Sequence, residues 1–494
     1  MYRPDLPIPD PPTSNFEKIA ALFPHCVTEA RDDSGNPRPV IDFDLLRREL
    51  SPDLVEAPRE RYHLDWPGKR AALALAHQPL RKTPQPCPEE SVDFESTRNL
   101  YIEGDNLDAL KHLRETCLGQ VKMIYIDPPY NTGGDFIYPD RFAISHRDYK
   151  NLSSETSGRF HTSWLSMIYP RLVLARDLLH DEGFLFVSIS DRELHNLIAI
   201  LDQVFGEENR VETFIWESIF RPSNMSRRVR GNAEFVIAYA KNSNRDFELV
   251  ERYEDPKGDA SLTQNNNSPR ALTFPPGSLD ISLPSGIYQT STSPGIRLGN
   301  PLTVGRGTNT AAWTVEGRFK WSQKYLDAEI AKGVLLKVKT RALIPSYRKT
   351  YQKTPLRPRK IIPRDLVGDV LAANAEIRGL FGKAVFDYPK PTSLITFLMR
   401  TFGIGNSDLV LDFFSGSATT AHAVMKLNTE DGGKRRYIMV QLPEPCDPKS
   451  AAFKAGYQTI AEIGKERIRR AGRKILDKWR KDAPPPDIGF RVFK

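Results

Sequence analysis

Two short stretches carry residue types and spacings that could do chemistry. Asp127-Pro128-Pro129-Tyr130 ends the apolar run Val121–Ile126 abruptly. Successive prolines cannot donate to a sheet ladder or continue into a helix, so they make a stiff turn at a strand's carboxyl end. In open α/β sheets ligands bind at that end. The turn would fix a carboxylate and main-chain carbonyls as acceptors beside an aromatic face. Such a set suits a flat base with an exocyclic amine, the acceptors holding the amine and Tyr130 stacking on the ring. Taken alone, the four residues could equally make a tight turn with Tyr130 packed on the core.

The second stretch, Ser407 to Thr420, contains Asp412-Phe413-Phe414-Ser415-Gly416-Ser417-Ala418 and runs into the helix-like Ala421–Leu427. Strand, tight turn of small residues, then helix is the arrangement that lets backbone approach a nucleoside cofactor closely. Together the two stretches are far more specific than either alone.

With both in place, the chain resembles the amino-group DNA methyltransferases, with the catalytic motif far upstream of the glycine motif, the permuted "beta" order. More closely it is similar to the modification (Mod) subunits of type III restriction–modification systems. The matching segments are Arg61–Arg70, Leu100–Leu107, Met123–Thr132, Phe386–Pro391, Tyr437–Glu444 and Thr459–Lys465, which leave only about residues 250–380 loosely matched. The resemblance implies a Rossmann-like α/β sheet of circularly permuted motif order, with a helical N-terminal region and an inserted target-recognition region. It also implies S-adenosylmethionine as cofactor and the exocyclic amine of adenine in duplex DNA as acceptor. Asp rather than Ser before Pro-Pro-Tyr favours adenine over cytosine.

Carried over residue by residue, Asp127, Pro128, Pro129 and Tyr130 are the expected catalytic residues. Asp105, Asn106, Asp127, Lys390, Pro391, Asp412, Phe413, Phe414, Ser415, Gly416, Ser417 and Gln441 are the expected cofactor contacts. Asp105 has the simpler alternative of a helix cap, and Lys390, placed to meet the cofactor's carboxylate, that of a solvated lysine. Two positions depart from the family pattern. Ala418 replaces a second glycine, and the uncharged Gln441 stands where an acidic residue usually grips ribose hydroxyls, with Glu444 as a possible substitute. The segment ending at Lys494 continues further in relatives, so a short or truncated form is an expectation.

The surrounding elements must hold these turns together. Strands are expected at Asn99–Glu103, Val121–Ile126, Gly183–Ser190, Val211–Trp216, Glu234–Ala240, Leu409–Phe413 and Tyr437–Gln441, with helices at Leu107–Leu113, Thr162–Leu179 and Asp191–Phe205. The domains expected are an N-terminal region over 1–95, a catalytic half over 96–245, a target-recognition region over 246–382, a cofactor-binding half over 383–480 and a tail over 481–494. Helix-like pieces in the first region are Asn15–Phe23 and Phe43–Leu50. The long stretch rich in Gly, Pro, Ser, Thr and Asn from Glu251 to Gly317 marks the insertion.

The 494 residues hold 70 Lys and Arg against 62 Asp and Glu, a net charge of +8 that permits a polyanion partner without demanding one. Nine Lys and Arg, and no acid, lie between Lys337 and Lys360. Lys337, Lys339, Arg348, Lys349 and Lys353 there, with Arg227, Arg228 and Arg230, are the expected DNA contacts; a solvated charged face is the plainer alternative. Four separated cysteines and histidines without ligand spacing give no sign of a metal or a disulfide framework. No GxxxxGK[ST] loop is present, so ATP-driven steps fall to a separate Res-type partner. The expected setting is cytoplasmic, away from membranes, with a homodimer possible. The competing functions are a non-catalytic DNA-binding remnant and an amino methyltransferase acting on cytosine, RNA or a protein amide.

Overall fold

A continuous apolar run becomes a strand only if both its faces are covered, as in a parallel sheet flanked by helices. Val121–Ile126 meets that condition, with five of its six residues buried. The computed structural model describes residues 11–22, 26–31, 37–43, 46, 64–80, 82–132, 160–221, 229–244, 247–256, 258–479 and 485–494. They fold as two units, one of 1–248 with 359–494, the other of 249–358.

The larger unit is built on one sheet of nine strands among the described residues: β1 (Leu100–Glu103), β2 (Val121–Ile126), β3 (Leu179–Ile189), β4 (Arg210–Trp216), β5 (Glu234–Ala240), β6 (Ile361–Ile362), β7 (Leu409–Asp412), β8 (Arg436–Gln441) and β9 (Arg491–Phe493). Their order is β6-β4-β5-β3-β2-β7-β8-β1-β9. Only β5 runs against the rest, antiparallel to both β3 and β4. The sheet is thus a Rossmann-like α/β sheet whose central pair, β2 and β7, comes from segments nearly 300 residues apart in the chain.

Helices α1 (Asn106–Cys117), α2 (Phe160–Leu178) and α3 (Leu194–Phe205) pack in sequence, with the helix Lys69–His77 also against α2. A second group is α4 (Val370–Phe381), α5 (Thr392–Thr401), α6 (Thr419–Asp431) and α7 (Ile460–Asp477), with α6 between α5 and α7 and α4 on α7. The core joins Ile124 and Ile126 of β2, Leu185 and Val187 of β3, Leu411 of β7 and Val440 of β8 to Leu110, Trp164, Leu172 and Leu201 of the helices.

Seven of the strands are the seven expected from sequence, shifted by a few residues at their ends. The other two are additions. The three-residue β9, in the expected tail, pairs in parallel with β1, and Gln85 and Cys87 bond its other edge. The two-residue β6 pairs with β4, which brings residues 359–382 into the larger unit rather than the insertion. Most of the expected helix Phe43–Leu50 lies outside the described residues, whereas Pro11–Leu22 is helical.

The unit of residues 249–358 is mainly short strands around a core of Leu272, Phe274, Trp313, Val315 and Leu336. Phe274 and Trp313 stack with ring centroids 5.5 Å apart.

Candidate active site

In-register pairing decides whether the two motif turns meet. β7 and β2 are parallel neighbours with Leu411 opposite Ile124, so Asp412–Ser417 and Asp127–Tyr130 leave the sheet side by side at one edge. β8 and β1 end there too, with Gln441 opposite Glu103. The reversed strand β5 begins at that edge: Phe235 pairs with Ile189 of β3 and Glu234 with Trp216 of β4.

The Asp127–Tyr130 turn, with Asn131 after it, is held by four side chains: Trp164, Glu193, Glu234 and Lys390. Trp164 Nε1 of α2 donates to the Pro129 carbonyl at 2.7 Å. Asn131 takes a left-handed φ of 58° and donates to the fully buried Glu193 at 2.6 Å. Glu193 also accepts from Asn196 at 2.7 Å, and His161 Nδ1 lies 2.7 Å from it. Tyr130 donates its hydroxyl to Glu234 at 2.7 Å. Lys390, 8 % exposed, reaches Asp127 Oδ2 at 2.7 Å and Glu234 at 3.3 Å. Its ammonium lies 5.1 Å from the Tyr130 ring centroid. Asp127 Oδ1 is buried with no hydrogen-bond partner. A buried carboxylate oxygen in that condition calls for a donor.

These surroundings set the charges. Burial pushes the Asp127 carboxyl above its ordinary value, against the opposing pull of Lys390. Burial opposes the Lys390 charge, but the carboxylates of Asp127 and Glu234 outweigh it and raise its pKa. Burial, with Asp127 and Glu234 nearby, drives the Tyr130 phenol far upward, so it stays a donor. Burial also raises Asp412 to about 7, with Asp127 adding to the effect.

The glycine turn is equally constrained. Gly416 has φ 50°, and a Cβ there would meet Phe386 Cζ at 3.2 Å, so the position needs glycine. Its N–H donates to Gln441 Oε1 at 2.7 Å. Ala418 adopts φ 60° and precedes α6. Asp412 accepts from the Phe414 N–H at 3.1 Å and the Thr420 hydroxyl at 2.6 Å. Arg467 of α7, fully buried, bonds Ser417 at 2.8 Å and Thr419 at 2.7 Å. The Ser415 hydroxyl is buried and unpartnered. An unpartnered hydroxyl beside a glycine that admits close approach fits a polar cofactor such as S-adenosylmethionine.

Several expected contacts have other work. Asp105 caps α1 through the Leu107 N–H at 2.7 Å and also meets Arg171. Asn106 is buried and ties α1 to the Phe413 carbonyl at 2.8 Å. Gln441 fastens the Gly416 turn with Oε1 and donates to the Leu442 carbonyl with Nε2. Lys390 is buried on Asp127 and is not the solvated lysine of the plainer alternative, and Pro391 precedes α5 as its N-cap. Glu234, Trp164, Glu193 and Arg467 were missing from the sequence-derived site.

The basic stripe is also less free than its sequence suggests. Lys337 pairs with Asp280 at 3.3 Å, and Lys339 and Arg348 both pair with the buried Asp259 at 2.7 Å. Lys349 pairs with the buried Glu329 at 2.9 Å. Lys353 and Arg230 are exposed, and Arg227 and Arg228 lie outside the described residues.

Comparison with known proteins agrees with this geometry. The family described as DNA methylase matches residues 121–466, from the start of β2 into α7. The Mod subunit of the type III restriction–modification enzyme StyLTI from Salmonella typhimurium is 33% identical over 482 residues, covering 92% of this chain and 69% of its own. This chain belongs to the DNA methylase family of type III Mod subunits. The methylase is also 29% identical to the EcoPI Mod subunit of Escherichia phage P1, over 97% of this chain and 78% of the relative. To the type II methyltransferase M.KpnI of Klebsiella pneumoniae it is 29% identical, over 76% of this chain and 88% of the relative. No helix among the described residues is long and apolar enough to cross a membrane.

Proposed function

We propose that this methylase transfers the methyl group of S-adenosylmethionine to the exocyclic amine of adenine in duplex DNA, as the modification component of a type III system. The observation that carries it is the side-by-side exit of the Asp127–Tyr130 and Ser415–Ser417 turns from paired strands β2 and β7. Bound S-adenosylmethionine supplies an electrophilic methyl group.

The amine of adenine is a poor nucleophile because its lone pair is delocalised into the ring. Asp127 Oδ1 accepts one amino hydrogen and the Pro128 carbonyl the other, which localises the lone pair on nitrogen. The Pro129 carbonyl is already taken by Trp164. Fixed acceptors of this kind act by positioning and preorganised electrostatics. Tyr130 stacks on the extruded base and offsets part of the unstacking cost of a few kcal/mol.

Ser415, Gly416 and Ser417, with Asp412, Phe413 and Phe414 behind them, form the cofactor cradle. Asp105, Asn106 and Gln441 support it from the neighbouring strand ends. Residues 249–358 read the target sequence, with Lys353 and Arg230 available to phosphates. A Res-type subunit in the cytoplasm supplies ATP-driven cleavage, and a homodimer is the assembly in which the methylase acts. Single-molecule sequencing of DNA from cells with and without the gene tests the assignment. N6-methyladenine in one sequence context is expected, and modification of cytosine alone would replace it with the cytosine reading.

A further inference from the structure

Glu234 belongs to neither sequence motif, yet it touches two residues of the catalytic cluster. It reaches them because β5 alone runs against the sheet and so starts where the other strands end. One oxygen, Oε2, accepts the Tyr130 hydroxyl at 2.7 Å and faces the Lys390 ammonium at 3.3 Å. Lys390 in turn donates to Asp127 Oδ2 at 2.7 Å. The chain of contacts Tyr130–Glu234–Lys390–Asp127 closes on itself, since Asp127 and Tyr130 share one turn.

We propose that Glu234 and Lys390 are a positioning pair that sets the rotation of the Asp127 carboxylate and the plane of the Tyr130 ring. The proposal rests on the amino-methylase reading above. Lys390 occupies Oδ2 and leaves Oδ1, buried and unpartnered, as the acceptor for the target amine. Glu234 gives Lys390 its second anchor and holds the stacking ring by its hydroxyl.

Charge balance separates this from cofactor binding by Lys390. If the lysine left to meet a cofactor carboxylate, Asp127 and Glu234 would remain as two carboxylates around one site, an uncompensated arrangement that burial makes costly. In place, Lys390 pulls the Asp127 carboxyl downward against burial, while Glu234 works in the opposite direction. The other titratable groups facing Asp127 are Tyr130 on its own turn, Tyr125 of β2 and Asp412 of β7. Neutralising the two members of the pair therefore moves Asp127 in opposite directions, which a packing role would not do.

The test is the single-turnover methyl-transfer rate against pH, on PCR-amplified bacterial genomic DNA with saturating S-adenosylmethionine. Wild type is compared with Lys390→Met, Lys390→Arg and Glu234→Gln, and calorimetry gives cofactor affinity for each. Lys390→Met moves the acid limb upward by about one pH unit and lowers the rate at pH near 7 by about tenfold or more. Lys390→Arg returns the limb towards wild type. Glu234→Gln slows the reaction but moves its limb to lower pH. Cofactor affinity stays within about threefold in all three, because none touches the glycine turn.

Limbs unmoved in both Lys390→Met and Glu234→Gln would overturn the proposal. So would a tenfold loss of cofactor affinity in Lys390→Met with an unchanged saturated rate. If wild type itself methylates no DNA at any pH, the amino-methylase reading falls, and the proposal with it.

Discussion

Gln441 Oε1 accepts the Gly416 N–H at 2.7 Å, so the last residue of β8 fastens the turn that follows β7. Its side chain is a neutral amide, and both ends of it bond backbone groups, the Gly416 N–H and the Leu442 carbonyl. Gln441→Ala removes that acceptor and is expected to weaken S-adenosylmethionine binding by about tenfold, on the order of one charge-free hydrogen bond plus loosening of the turn. Gly416→Val should weaken it further, because its Cβ would crowd Phe386 at a positive φ. Calorimetric titration measures both, and wild-type affinity in both variants would remove the turn from the cofactor site.

Trp164 donates to the Pro129 carbonyl at 2.7 Å, which ties the Asp127–Tyr130 turn to α2. Trp164→Phe keeps most of the packing but leaves that carbonyl unsatisfied, a loss of about 1–3 kcal/mol for a buried acceptor. The turnover number should fall by about tenfold with cofactor affinity retained. An unchanged turnover number would mean that the turn holds its shape without this bond.

Burial raises the folded-state pKa of Asp412 from 3.8 to about 7. Between those values the folded chain keeps a proton that the unfolded chain has released. The contribution of Asp412 to stability is therefore fully present below the unfolded value and is lost as pH rises through about 7. Asp412→Asn abolishes that dependence, although it weakens the bond from Thr420. Melting temperatures from pH near 5 to 8 should show the variant gaining on wild type as pH rises, and a constant difference would contradict a buried, protonatable Asp412.

How legible was this site in the sequence? The sheet was largely visible because buried parallel strands read as short apolar runs, as in Val121–Ile126 and Leu409–Asp412. The two motif turns were visible because prolines and small residues restrict backbone in recognisable ways. The hydrogen-bonded frame was not. Asp127 and Lys390 are 263 residues apart and Tyr130 and Glu234 are 104 apart, distances at which no local period carries information. Only the reversed direction of β5 brings Glu234 in, and strand direction is a property of the sheet. Strands of two or three residues, such as β6 and β9, are too short to show alternation. The charge run from Lys337 to Lys360 hid its ion pairs for a related reason: the acids that meet four of its cations, Asp259, Asp280 and Glu329, come from elsewhere in the insertion.

That pairing gives a prediction about DNA affinity. Lys353 is exposed, so Lys353→Ala should remove about one counterion's worth of salt dependence, a slope change of about 0.9 in log affinity against log salt. Lys339→Ala instead takes one of two cations from the buried Asp259 and should lower thermal stability more than DNA affinity. Filter binding across a salt series and thermal melts separate the two effects. A larger slope change for Lys339→Ala than for Lys353→Ala would reverse the assignment.

The central claim is that the Asp127 carboxylate holds the adenine amine in line for methyl transfer. Its most direct test is nucleoside mass spectrometry of unmethylated DNA incubated with S-adenosylmethionine and either wild-type protein or Asp127→Ala, with cofactor affinity measured in parallel. N6-methyladenine from wild type, a loss of about a thousandfold or more in Asp127→Ala and retained cofactor binding are the expected result. Undiminished N6-methyladenine from the folded Asp127→Ala protein, or equal loss of cofactor binding and methylation, would contradict it.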